Sequence, residues 1–197
     1  FLDRALKLEP HFWVLHNLNA YVCYFEGRHS EAIKACEEAR DLNENYLMTD
    51  WLFFLNYAKL GEGEKAKETL QGIVRKFSDG EAVVEEEIET AYRKSGIEGL
   101  FTWMVETNIS KPLPVFGLNG IPFFISWWYA ILGDRENALH WLEINMTQSR
   151  RRHAFFDLIG SNPDFDFMRD DPRFLDIIDR IGLTPYNNRP ALHLKVL

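Results

Sequence analysis

The residues best placed to do chemistry stand in "SNPDFDFMRDDPRFLDII", residues 161 to 178, where five aspartates fall within eighteen positions. Clustered carboxylates can bind a cation or act as acid and base. A calcium loop needs oxygen ligands at regular spacing that end in a bidentate glutamate, and no such glutamate follows. The prolines suggest another role. Asn162 before Pro163 and Asp171 before Pro172 each read as an N-cap followed by proline at the first helical position, so the stretch divides into two helix starts. Asp164 then lies in a first turn, where the helix dipole favours negative charge. Phe165, Phe167, Phe174, Ile177 and Ile178 form an apolar side, and Asp166, Asp170 and Asp176 are left for solvent or for Arg169, Arg173 and Arg180.

The other reactive side chains are equally unsuited to catalysis. The six histidines, His11, His16, His29, His140, His153 and His193, include no i, i+4 pair and no zinc-hydrolase helix. Cys23 and Cys36 match neither a zinc spacing nor a disulfide framework and are expected as free buried thiols. Glu85, Glu86 and Glu87 read as a solvated helix face. No serine stands in a nucleophile turn. The sequence therefore predicts no catalysis, no metal and no cofactor in this chain.

Those side chains must be carried by a fold, and the bulk composition bounds it. A chain of 197 residues that is 46% apolar and 14% aromatic can bury a sizeable core. Acidic residues outnumber basic ones by 30 to 22, and the one basic run, Arg150 to Arg152 with His153, is too short to track a phosphate backbone. Direct nucleic-acid contact is not expected. The longest apolar stretch, residues 121 to 132, has 12 residues, whereas a membrane span needs about 20. The opening "FLDRALKLEP" reads as the second half of a helical unit, with no initiator methionine and no signal-peptide pattern, which predicts a piece of a longer protein.

A period of about 34 residues organises the chain. Gly27, Gly61, Gly96 and Gly133 are separated by 34, 35 and 37 residues, each after one helical pattern and before another. Ala32, Ala66 and Ala138 stand five residues after a glycine, with Phe101 in the third copy. Cys23, Tyr57, Tyr92 and Tyr129 stand four before. The spacing predicts a helix, a turn that uses glycine's freedom at positive φ, and an antiparallel second helix, with the alanine where the two backbones approach and leucines such as Leu70 and Leu142 continuing the apolar stripe.

These residues resemble the tetratricopeptide repeat, a helix-turn-helix unit that stacks into a right-handed superhelix. The resemblance covers residues 1 to about 77, including the half-repeat ending at Pro10, and returns at 121 to 147. The copy at 80 to 108 is degenerate and precedes "SKPLPVFGLNG", whose prolines and glycines end any helix. The expected fold is all-α: a right-handed superhelix of stacked antiparallel helix pairs, an α-solenoid with short C-terminal capping helices. Its expected segments are a half-repeat at 1–10, repeats at 11–44, 45–78, 79–110 and 119–149, and a cap with an irregular tail at 150–197, docked by Leu192 and Leu194.

The order "AYRKSGIEGLFTWM", "YAILGDRENALHWLE" and "NPDFDFMRDDPRFLDIIDRIGL" is similar to the C-terminal portion of multidomain bacterial signalling proteins. In these the array follows a winged-helix DNA-binding, adenylate-cyclase or serine/threonine kinase domain. The resemblance implies a regulatory, protein- or peptide-binding module, in the cytoplasm for a kinase or cyclase and outside it for a membrane-tethered regulator.

Counting back 10, 6 and 3 residues from each turn glycine gives the concave face of such an array. The candidate groove comprises Asn17, Tyr21, Tyr24, Trp51, Leu55, Lys59, Glu86, Arg93, Phe123 and Trp127, an aromatic-rich surface suited to a peptide. With Trp51 and Leu55 where lysine and asparagine would clamp a terminal carboxylate, a chaperone-type clamp is disfavoured. The alternatives are that the chain's own C-terminal helices cover these aromatics, that a small-molecule pocket forms between them and the 109–121 loop, or that the array forms a homodimer.

Overall fold

The structure is a computed structural model that describes residues 1–77, 82–110, 122–148 and 156–183. Among the described residues the fold is all-α, with no strand. The helices are α1 (Leu2–Leu8), α2 (Trp13–Phe25), α3 (His29–Leu42), α4 (Leu47–Lys59), α5 (Gly63–Phe77), α6 (Ala82–Ser110), α7 (Pro122–Ile131), α8 (Arg135–Gln148) and α9 (Pro172–Arg180), with short 3₁₀ helices at Phe156–Gly160 and Pro163–Met168. They form two compact units, which divide within α6 between Leu100 and Phe101. None of the described helices is long and apolar enough to cross a membrane.

The turn glycines show why the chain reverses where it does. Gly27, Gly61 and Gly133 have φ between 72° and 75°, a left-handed conformation in which a Cβ is strained. At each, the amide after the glycine donates to the carbonyl four residues before it: Arg28 to Cys23, Glu62 to Tyr57, Asp134 to Tyr129. The glycine amide donates to the carbonyl three before, so the last turn of the helix has its orphan acceptors satisfied. Gly182 repeats the arrangement after α9, with Leu183 donating to Ile178.

In the first unit α2 pairs with α3 and α4 with α5, while α3 and α2 also pack on α4. The division of labour follows from composition. α4 buries an unbroken run from Trp51 to Asn56, whereas α3 buries one stripe of small residues, Ala32, Ala35, Cys36 and Ala39. Small side chains let the two backbones close up, and the α4 rings fill the remaining space. Asn17 on α2 donates to Thr49 Oγ1 on α4 at 2.9 Å, so this buried polar pair is satisfied.

The hairpin expected at 80–108 is built differently. α6 is helical throughout except at Ser95 (φ −146°, ψ 19°) and Gly96 (φ 59°, ψ −138°), where it kinks. Across the kink the backbones touch: a Cβ on Gly99 would lie 2.0 Å from the Ala91 carbonyl oxygen. Gly96 takes positive φ as the other turn glycines do, and the Gly99–Ala91 contact is added to it.

In the second unit α7 pairs with α8, and the C-terminal segment packs on both: the Pro163–Met168 helix on α7, α9 on α8. Phe123 to Trp128 are buried on all faces of α7. α8 and α9 run parallel, joined by two bidentate ion pairs one heptad apart. Arg173 binds Glu136 at 2.7 and 2.8 Å, and Arg180 binds Glu143 at 2.9 and 2.8 Å.

Candidate functional site

The ten residues singled out as a groove do not share one accessible surface. Asn17, Tyr21, Tyr24, Trp51, Leu55, Phe123 and Trp127 are buried, the first five in the first unit and the last two in the second. Lys59, Glu86 and Arg93 are exposed, and Arg93 bridges to Glu89 at 2.8 Å. The 109–121 loop lies from residue 111 outside the described residues, as do Arg150 to His153 and the tail from residue 184, with His193, Leu192 and Leu194.

Trp127 shows how the burial arises. Its indole Nε1 donates to Asp164 Oδ2 at 2.6 Å, both groups being buried. Within the second unit, then, the C-terminal segment covers this aromatic. Asp164, read from sequence as a first-turn charge, is an acceptor for a core tryptophan. The caps at Asn162 and Asp171 stand as expected, accepting from the amides of Asp164 and Arg173, although the first opens a 3₁₀ helix rather than an α-helix. Phe165 and Phe174 stack in the core, while Phe167 is 36% exposed and lies beside the Arg135 guanidinium. Asp166, Asp170 and Asp176 pair with Arg169, Arg135 and Arg180. No group of three or more histidine, cysteine or acidic side chains among the described residues is disposed to hold a metal. Burial pushes the Cys23 and Cys36 thiols up, away from the thiolate that a nucleophile or ligand requires.

The cap at Asp171 has a pH signature. The Arg173 side chain donates to its carboxylate from Nε at 3.1 Å and Nη2 at 2.9 Å, the Arg173 amide adds a third bond, and these hold its pKa at about 2. An ordinary aspartate titrates at about 3.9. Because the folded value is the lower, this contribution to stability is full above pH 4 and is lost as pH falls through about 2. Amide exchange in α9 should accelerate across that window at low ionic strength, and Asp171→Asn should flatten the change. A carboxyl midpoint near 4 by NMR would contradict this.

Open surface of a different kind lies in the first unit, where α3 and α5 pack on α4 and leave a cleft of about 760 Å³ between them. Its floor is the Phe53 and Tyr57 rings, stacked at 6.0 Å. The Arg40 guanidinium carbon lies 4.5 Å from the Phe53 centroid, and Lys65 Nζ lies 5.3 Å from that of Tyr57, cation–π distances in both cases. At the far end Lys76 of α5 bonds Asp50 at 3.0 Å and the Glu44 carbonyl. The α5 wall consists of Lys65, Glu68, Thr69, Gly72, Ile73 and Lys76, one face at helical spacing.

Gly72 is the unexpected member. A glycine inside a helix costs about 1 kcal/mol relative to alanine, and a Cβ here would meet nothing within 4 Å. Among the described residues no neighbour requires its absence.

Against protein-family models, curated proteins and solved structures, the chain finds no match. The cleft must therefore be interpreted from its own chemistry. Sequence reasoning passed over Arg40, Lys65 and Gly72 because it placed ligands on the first helix of each pair, and over Phe53 because the counted offsets on α4 fell at Trp51 and Leu55. The legible signal was Gly72 itself, a glycine interrupting a helical pattern without ending it.

Proposed function

We propose that this chain is a non-catalytic protein- or peptide-binding module of a larger regulatory protein, built from tetratricopeptide-type repeats of the kind that stack as a right-handed superhelix. In this reading it is the C-terminal sensor portion of a bacterial signalling protein, such as a winged-helix regulator, and its output domain is a separate segment. The observation that carries the proposal is the open cleft over α4, of a size that holds ligand groups, on helical hairpins closed by recurrent glycine turns. The periodic glycines and the run "DDPRFLDIIDRIGL" support the family reading.

Selection from a displayed random-peptide library on the folded chain tests it. The expected result is a recurrent motif whose synthetic peptide binds with a micromolar Kd, while small metabolites leave the melting temperature unchanged. A library that enriches nothing would remove the peptide-binding reading.

A further inference from the structure

The charges lining the cleft alternate along its length. Tyr57 lies against Lys65 and Asp50 against Lys76, so α4 and α5 run antiparallel and Phe53, with Arg40 above it, falls between the two ends. Lys65 is paired with Glu62 at 2.6 Å and Lys76 with Asp50. Three charges have no ion-pair partner among the described residues: the Arg40 guanidinium in the middle, the Glu68 carboxylate toward the Lys65 end, and the Glu44 carboxylate toward the Lys76 end. Read along the cleft, they run negative, positive, negative.

We propose that the cleft holds an extended peptide segment presenting one acidic side chain between two basic ones. The proposal rests on the peptide-binding reading and specifies its ligand. The carboxylate of the segment meets Arg40, which offers a fork of donors held over Phe53, a geometry suited to two parallel hydrogen bonds. Its basic side chains meet Glu68 and Glu44.

The wall is long enough for such a segment, and it leaves room for a backbone. Lys65 and Lys76 bound the α5 wall, eleven residues apart, or about 16 Å at 1.5 Å per residue. In an extended chain, side chains at i, i+2 and i+4 share a face and span about 13 Å. Gly72 lies on this wall, nearer the Lys76 end, and no described atom stands where its side chain would be. It lets a ligand backbone approach α5 closely, which accounts for a glycine that no described neighbour requires.

The test is fluorescence anisotropy with fluorescein-labelled Lys-Ala-Glu-Ala-Lys, the charge-inverted Glu-Ala-Lys-Ala-Glu and an all-alanine pentapeptide. The first should bind at least tenfold more tightly than the other two, and its affinity should fall with added salt. Arg40→Ala and Gly72→Leu should each weaken it tenfold or more with the helical circular dichroism unchanged. Full binding to Gly72→Leu would overturn the proposal. If library-selected peptides bind but ignore both substitutions, this inference fails and the general reading stands; if no peptide binds at all, both fail.

Discussion

Trp127→Ala is expected to destabilise the chain by about 3–5 kcal/mol, the range for emptying a large buried aromatic site, and to do so whether or not a ligand is present. Trp127 is 2% exposed and is held by Asp164. Truncation removes the ring from the α7 core and leaves a buried carboxylate without the indole donor. Trp127→Phe retains most of the ring and isolates the hydrogen bond, for which about 1–3 kcal/mol is expected. Urea unfolding followed by circular dichroism, with amide exchange in α7 and at 163–168, measures both. The outcome separates two roles for the same residue. A groove contact would lose affinity at constant stability; the buried position predicts the reverse, and an unchanged unfolding midpoint would refute it.

Gly99→Ala should be the most damaging glycine substitution, at about 3 kcal/mol, the upper end of what overpacking costs. The obstacle is the Ala91 carbonyl, 2.0 Å from the new Cβ, and a backbone atom cannot swing aside as a side chain does. The two arms of α6 must separate. Gly72→Ala is the internal control: the same methyl enters empty space and should stabilise α5 by about 1 kcal/mol. Equal melting temperatures for the two variants would show that the arms of α6 are not in contact.

What was legible in the sequence was local. The glycine spacing located the chain reversals because positive φ is a property of single residues, and the helices lie between those glycines as the apolar periodicity required. Proline after asparagine or aspartate located the two caps for the same reason. The degenerate copy misled in detail, since Gly99, three residues past the expected turn glycine, makes the close backbone contact that was expected five residues past it. The candidate groove was less legible because periodicity gives a helix face but not what covers it. α4 and α7 each bury a run of six consecutive residues, so rings counted onto an open face, such as Trp51 and Phe123, lie in the core. Whether Asp164 faced water or an indole depended on a partner 37 residues away, which no local pattern encodes.

The heptad spacing of the α8–α9 ion pairs works like a two-pin connector. Arg173 and Arg180 are seven residues apart, as are Glu136 and Glu143. Sliding α9 along α8 by one helical turn would misalign both plugs together, so the pairs specify a register. Exposed pairs of this kind add little to stability, but they discriminate sharply among alignments. The closing helix thus carries its own docking address, and exchanging the charges at all four positions at once should preserve that address, whereas reversing the two arginines alone should erase it.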